Sequence, residues 1–322
     1  MPGVRTKLRL DPWPPEYDSA IQFGDMDAET AAVVNPDVEM DGWRAVDPHP
    51  IKEYEEMCFV DGVRRIDARV LADGEGKVIH GLFGSIGIGA VRVRETSASF
   101  TDIEVDRFLI MGDGIRRSAE VQIGNCVLTF QGLASPSNSP LELLGELQNL
   151  MRTREADVGR RLSCSEVCVF ADGPLTYFAS AKDEIVGVVK TIHVPYVTER
   201  HFEVVRKLTR GQRSPLFSIE DGKYNRYSWF LRVADGRKID HALAGIMRLE
   251  VRAAVGLDQA TRIADLSAVE LQRFVSTSAR DSRAPQNLVP IGSLEMELRR
   301  RLGNALLLQR GIERNLLKEV YS

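Results

Sequence analysis

Along the chain, apolar residues recur first in short continuous runs of strand length. Val167-Cys-Val-Phe-Ala-Asp-Gly-Pro-Leu175 is the clearest. It predicts a buried strand that carries Asp172 to a Gly-Pro turn at its end. Met57-Cys-Phe-Val-Asp-Gly62 repeats the pattern, apolar residues again running into Asp-Gly. From Glu56 to Ala72 charged Arg65, Asp67 and Arg69 alternate with Ile66, Ala68 and Val70, as in a strand with one face over a core. Asp73-Gly-Glu-Gly76 closes a hairpin with Lys77 to Phe83. The glycine-rich stretch Gly81 to Gly89 lacks a following Gly-Lys-Ser/Thr, so it reads as close strand contacts in a curled sheet rather than a phosphate loop. Val91 to Leu109 continues in strand residues, giving a mixed sheet of successive hairpins.

A helical period takes over after the Ser135–Pro140 loop. Ser139-Pro-Leu-Glu142 carries N-terminal helix signals, and Leu141, Leu144, Leu147 and Met151 form a stripe that continues to Leu162, with Glu155 near the end. Beyond Leu175 a short helical or hairpin excursion leads to the buried strand Glu184-Ile-Val-Gly-Val-Val-Lys190, which ends in a cation. Thr198 to Leu208 is predicted helical and Gly211 to Leu216 a loop. Tyr227 to Val233 and Gly245 to Val251 are predicted strands around a turn at Asp235 to Lys238. Leu257 to Ser278 is predicted helical, with Leu266, Val269, Leu271 and Phe274 inward. Arg280 to Pro290 is a loop, and Gly292 to Leu308 closes the pattern as one basic amphipathic helix. Residues 1 to 50, rich in Pro, Asp and Glu, show no sustained period. They read as an extended arm with a short helix near Asp27 to Val34, packed through Trp13 and Trp43 or used to hold a partner. Repeats and linkers are absent, so residues 51 to 322 form one α/β domain.

Composition narrows the picture. The 322 residues are 43% hydrophobic, enough for a substantial core. A net charge of −4 excludes an overall cationic field, so any nucleic-acid footprint is local. Arginines cluster at Arg64-Arg65, Arg116-Arg117, Arg152 and Arg154, Arg160-Arg161 and Arg299-Arg300-Arg301. Cys58, Cys126, Cys164 and Cys168 lack the partners of a zinc set and read as buried free thiols. Neither a signal segment nor a membrane span is visible, which predicts a cytoplasmic protein without membrane contact.

Two strands ending in Asp-Gly and lying side by side would bring Asp61 and Asp172 together, where their charges repel unless a cation lies between them. Hard divalent ions suit such a pair. Each Asp-Gly alone is also an ordinary tight turn. Glu155 is the third candidate, projected from its helix toward a strand end, the alternative being a solvated helix face. Lys190, beside two acidic strand ends, would favour a phosphate, or else extends to solvent. His193 reads as structural.

Phe59-Val-Asp-Gly62, the helix with Glu155, Val169 to Leu175, the strand ending at Lys190 and Arg-Ala-Pro-Gln-Asn-Leu-Val-Pro290 together resemble the NurA nucleases, over about residues 55 to 310. The resemblance implies an α/β fold with an RNase-H-like mixed central sheet flanked by helices, with helical additions. It implies DNA-end processing together with a HerA-like hexameric ATPase, as a homodimer, in DNA repair or phage defence. By it Asp61, Glu155 and Asp172 would form a Mn2+ or Mg2+ site for phosphodiester hydrolysis, with Lys190 and Arg64 or Arg65 holding phosphates. Single-strand exonuclease activity, with endonuclease activity beside it, is the implied reaction.

Two departures stand out. Val63 replaces a small hydroxyl residue after the first Asp-Gly. The helix after Val289-Pro290 lacks the histidine of archaeal members, leaving Glu295 or Glu297 to substitute or a site without that ligand. The alternative function is therefore a catalytically silent DNA-gripping or ATPase-regulating subunit. A third is a hydrolase or phosphotransferase acting on a small phosphate ester.

Overall fold

The computed structural model describes residues 8–10, 32–49, 54–74, 76–164, 167–178, 184–190, 192, 194–220, 225–237, 239–277, 279–281 and 283–321. The expectations for Trp13, for the first part of the arm helix and for His193 fall outside these residues. In chain order the strands are β1 (Leu8–Leu10), β2 (Val33–Asn35), β3 (Glu56–Gly74), β4 (Lys77–Arg94), β5 (Ser97–Met111), β6 (Ala119–Ile123), β7 (Cys126–Ala134), β8 (Val167–Asp172), β9 (Ile185–Val189), β10 (Phe217–Glu220), β11 (Asn225–Arg232) and β12 (Ile246–Arg252). The helices are α1 (Pro140–Leu162), α2 (Glu199–Lys207), α3 (Leu257–Glu270), α4 (Val289–Arg301) and α5 (Ala305–Tyr321).

Strand alternation divides the apolar residues between two faces of one mixed sheet. The sheet runs β2-β10-β11-β12-β9-β8-β3-β4-β5-β7-β6, with β1 added beside β3. Pairs β3–β8, β8–β9 and β5–β7 are parallel. On one face Cys58, Val60, Ile86, Val169 and Ala171 pack under Leu143, Leu147 and Met151 of α1. On the other, Phe59, Val63, Phe170 and Trp229 pack under Ile263 of α3 and Leu294 and Leu298 of α4. Each such fully buried side chain contributes roughly 1.5–3 kcal/mol relative to exposure, so both helical layers are held by ordinary hydrophobic burial. The α/β class and the mixed sheet are as read from the sequence.

The glycine-rich stretch lies inside β4, where Gly84 and Gly87 face helices and Gly81 and Gly89 lie against side chains of neighbouring strands. A β-carbon on Gly84 would lie 2.6 Å from Leu147 of α1. This is the close-contact reading rather than a phosphate loop.

Several expectations are corrected. β3 runs straight through Asp61-Gly62, so this Asp-Gly ends no strand. The charged face of β3 does not persist, because the register shifts between Ile66 and Ala68 and buries Asp67, which pairs with Arg65 and accepts from Ser85 Oγ. Val33 and Val34 belong to a strand, not a helix. Leu141 is exposed and Leu143 takes its place in the stripe. The helix after Leu257 ends at Glu270 and passes into a 3-10 turn, Leu271–Phe274. The closing helix is two helices, α4 and α5, separated at Gly303 with φ +83°. Cys126 and Cys164 are exposed, while Cys58 and Cys168 are buried. Strands β6 and β7 lie outside the sequence reading, although Ala119 to Ile123 alternates apolar and polar residues.

Candidate active site

The register of the parallel pair β3–β8 aligns Glu56 with Val167 through Val60 with Ala171. The next step along both strands is Asp61 and Asp172. Alternation puts Asp61 with Phe59 and Val63, and Asp172 with Phe170, on the face covered by α4. Here β8 stops: Gly173 adopts φ +96° and Pro174 follows. β3 continues.

Gly62 is therefore not a turn glycine. A β-carbon at this position would lie 2.5 Å from Glu155 Oε1 and 2.9 Å from Met151 Cγ. The absent side chain lets α1 descend onto the sheet and brings the Glu155 carboxylate beside Asp61 from the opposite face. Glu155 is buried, and Arg152 Nη1 donates to its Oε2 at 3.0 Å and to the Asp172 carbonyl at 2.8 Å.

Helix α4 supplies a further acid. Leu294 and Leu298 anchor it in the core, and Glu295 then faces the two aspartates. Oxygens of Asp61, Asp172 and Glu295 all lie within 4.8 Å of one another. Glu297 points outward and pairs with Arg300 and Arg301. Of the two acids on this helix, geometry selects Glu295. Glu155 adjoins the trio through Gly62 but is not one of its three converging groups.

The trio is electrostatically tense. Burial, then Asp172 and Glu155, push the Asp61 carboxyl well above the usual carboxylate range; Lys190 opposes this and Glu295 adds to it. Lys190 Nζ lies 2.7 Å from Asp172 Oδ1 and donates to Asn287 Oδ1 at 2.7 Å. Asn287, fully buried, donates to Asp281 Oδ2 at 2.5 Å. Arg283 grips Asp281 and holds both oxygens of Glu295, at 2.8 and 2.9 Å. A belt of polar contacts thus runs from Asp172 round to Glu295. Behind it, Leu175 N donates to Glu250 Oε1 at 2.8 Å, which fixes the turn after Asp172, and Arg226 and Arg248 neutralise Glu250.

The adjacent arginines part company by alternation. Arg64 lies on the α1 face, its Nε donating to Gln148 Oε1 at 2.5 Å. Arg65 lies on the α4 face and is occupied by Asp67 and by the carbonyls of Leu302 and Gly303.

Hard oxygen donors converging from three elements, one of them buried and resisting ionisation, fit a divalent cation of the magnesium or manganese type. A cation would offset the burial and the repulsion that together raise Asp61. Sequence reading found Asp61, Asp172, Glu155 and Lys190, and left Glu295 as one of two choices. Arg152, Glu250 and the belt through Asn287, Asp281 and Arg283 went unassigned, although Arg283 and Asn287 stand inside the quoted Arg-Ala-Pro-Gln-Asn motif.

The NurA domain family matches residues 31–291 of this chain. The chain belongs to the NurA domain family. The matched span contains Asp61, Glu155, Asp172, Lys190 and Asn287, and stops before Glu295. The crystal structure of the NurA nuclease from Sulfolobus solfataricus superposes with a TM-score of 0.50 at 10% identity, covering 86% of this chain and 88% of that one. The likeness therefore concerns the fold. The catalytic domain of human endonuclease V gives a TM-score of 0.33 at 16% identity, over 82% of this chain and 92% of that one. No curated protein matches the chain in sequence. Among the described residues no helix is long and apolar enough to cross a membrane.

Proposed function

We propose that this NurA-family chain is a metal-dependent deoxyribonuclease that hydrolyses phosphodiester bonds, with single-strand exonuclease and also endonuclease activity. The observation that carries the reading is the convergence of Asp61, Asp172 and Glu295 oxygens within 4.8 Å at the end of β8. Asp61, Asp172 and Glu295 would hold Mg2+ or Mn2+, with Glu155 beside them on the far side of Gly62. When bound, such an ion supplies charge neutralisation at a phosphoryl oxygen and lowers the pKa of water.

The chain's own residues do the rest. Lys190 balances one negative charge at Asp172 and presents an ammonium where a phosphate would arrive. Arg64 offers a guanidinium for a neighbouring phosphate, a geometry suited to that group. Arg65, tied to Asp67 and the end of α4, serves the fold. Arg283 orients Glu295, and Asn287 orients Lys190, so donor and cation are set before substrate arrives.

The resemblance to NurA nucleases supports a HerA-like hexameric ATPase as partner, a homodimer, and a role in DNA repair or phage defence. One observation favours the second reading, a catalytically silent DNA-gripping subunit: Arg283 engages both oxygens of Glu295. The test is degradation of end-labelled single- and double-stranded DNA in Mn2+, Mg2+ or EDTA by wild type, Asp61→Ala, Asp172→Ala and Glu295→Gln. Metal-dependent cleavage lost in the Asp variants is the expected result. Absence of wild-type cleavage, even with a cognate ATPase, leaves the silent subunit. Hydrolysis of a small phosphate ester without DNA cleavage would replace both.

A further inference from the structure

Gly187 of β9 lies in register between Ala171 of β8 and Glu250 of β12. Registered partners share a face of the sheet, and here it is the face covered by α1. The two outer strands are about 10 Å apart. The glycine leaves the space between them clear: a β-carbon on Gly187 would lie 2.9 Å from the Gly173 carbonyl oxygen, 3.0 Å from Glu250 Cγ and 3.1 Å from Leu175 Cγ. Through this gap the fully buried Glu250 reaches across β9 and accepts from Leu175 N at 2.8 Å. Leu175, itself fully buried, follows Asp172 by three residues. The turn that carries Asp172 is thus set from a strand two places away.

The second oxygen of Glu250 accepts from Arg248 Nη1 at 2.6 Å and lies 3.4 Å from Arg226 Nε. Burial opposes its charge, but Arg248, then Arg226 and the Leu175 amide, outweigh burial and hold the carboxyl below its usual range. Both guanidiniums lie against one ring, that of Tyr196, with Arg248 at 4.9 Å and Arg226 at 5.5 Å from its centroid. Arg226 Nη2 also donates to the Tyr196 hydroxyl at 3.1 Å. Tyr196 has φ +60°, an uncommon conformation for an aromatic residue. Such a conformation persists where its surroundings over-determine it, and here the two arginines do so. Tyr196 follows Lys190 by six residues, so the segment leaving the cation is fastened to the cluster that fastens the turn leaving the acid. Between the two fastenings Lys190 Nζ and Asp172 Oδ1 meet at 2.7 Å.

We infer that Glu250 and Tyr196 are positioning residues of the site, joined by Arg226 and Arg248 into one buried cluster that fixes the Asp172 turn on one side and the Lys190 segment on the other. Buried ion clusters are poor sources of stability, since apolar replacements of similar volume are often as stable. What this cluster supplies is a common anchor for two segments whose side chains must meet. Its consequence for catalysis rests on the nuclease reading, but its consequence for geometry and metal binding does not.

Gly187→Ala and Tyr196→Gly test it, because neither replaces a group of the acidic site or removes a buried charge. Three readouts apply to the full chain: amide hydrogen exchange at Leu175 without metal, calorimetric titration with Mn2+, and steady-state cleavage of single-stranded DNA in Mn2+. Gly187→Ala, which fills the gap, should speed exchange at Leu175 and weaken Mn2+ binding about 10–100-fold, as loss of an outer partner does. Tyr196→Gly tolerates the same φ but loses the ring, and should raise KM for DNA more than it lowers kcat, since Lys190 is the group released. Tyr196→Phe, which keeps the ring over both guanidiniums, should recover wild-type KM. If both glycine-site changes lower only the melting temperature, with Leu175 exchange, Mn2+ affinity and KM as in wild type, the cluster is structural and the inference fails. If Gly187→Ala alters exchange and Mn2+ affinity while wild type cleaves no DNA, the positioning stands and the nuclease reading fails.

Discussion

Burial of Asp61 beside Asp172, Glu155 and Glu295 means that the metal-free protein holds a proton there that the unfolded chain releases at lower pH. The folded state then binds more protons than the unfolded one above the ordinary carboxylate pKa. Stability contributed by this group is full below that range and is lost as pH rises through the raised value. Asp61→Asn removes the titration, so in EDTA the variant should melt above wild type, by a margin that widens as pH rises from 5 toward neutrality. Manganese should raise the wild-type melting temperature and leave that of the variant nearly unmoved. Melting curves across pH, with and without the ion, check both; equal curves in EDTA would sink the argument. Gly62 makes a second point at this scale. Gly62→Ala forces a β-carbon against Glu155 and Met151, which should cost about 1–3 kcal/mol in denaturant unfolding and weaken manganese binding in calorimetry. The residue type was visible in the sequence, but its reason was not, since a turn and a helix contact both call for glycine.

Helix α4 is placed from both ends. At its C-terminal end Arg65 and Arg107 donate to the Leu302 carbonyl, and Arg65 also reaches Gly303. These charged donors meet orphan carbonyls, an arrangement favoured at helix C-termini. Arg65→Met should cost about 1–3 kcal/mol in urea unfolding, whereas Arg64→Gln, which loses one contact to a neutral amide, should cost less. At the other end Arg283 orients Glu295. Loss of such an outer partner lowers metal affinity about 10–100-fold elsewhere, and Arg283→Gln should do so here while melting near wild type. Calorimetric titration with manganese reads the first effect and thermal melting the second. The helical period over Gly292 to Leu308 was legible as apolar spacing. Its division at Gly303 had a local mark as well, three arginines ahead of a glycine and Asn304 after it, but the apolar spacing of Leu302 and Leu308 suits one helix or two. The bulge in β3 shows no mark in the alternation of Arg65, Asp67 and Arg69. It follows from Ser85 and Arg65 satisfying Asp67 in the interior.

Across the whole molecule, the segment 32–49 is joined to the sheet through β2 and β10, and one buried arginine adds a charged tie. Arg213, nearly inaccessible, binds both oxygens of Glu39 at 2.7 and 2.9 Å and Asp265 of α3 at 2.7 Å. Trp43 stacks on His201 of α2 nearby. Removing the cation leaves two carboxylates unpaired, so Arg213→Ala should lose about 3–5 kcal/mol. Protease cleavage within residues 32–49, ahead of global unfolding, is the corresponding readout. The sequence by itself determined the elements with strong local signals. Runs such as Val167 to Ala171 and Ile185 to Val189 have the length, β-branched content and flanking turn residues of buried strands, and Pro140 followed by a leucine stripe has the signals of a helix start, because backbone period and side-chain size are local properties. It also supplied Asp61, Asp172, Glu155 and Lys190 as residue types suited to a cation or a phosphate. Tertiary structure alone decided their company. The parallel register of β3 and β8 aligned the aspartates, the fall of α4 across the sheet chose Glu295 over Glu297, and alternation separated Arg64 from Arg65. Each of those outcomes depends on contacts between segments more than a hundred residues apart or on which face a strand buries, and no local pattern along the chain records either.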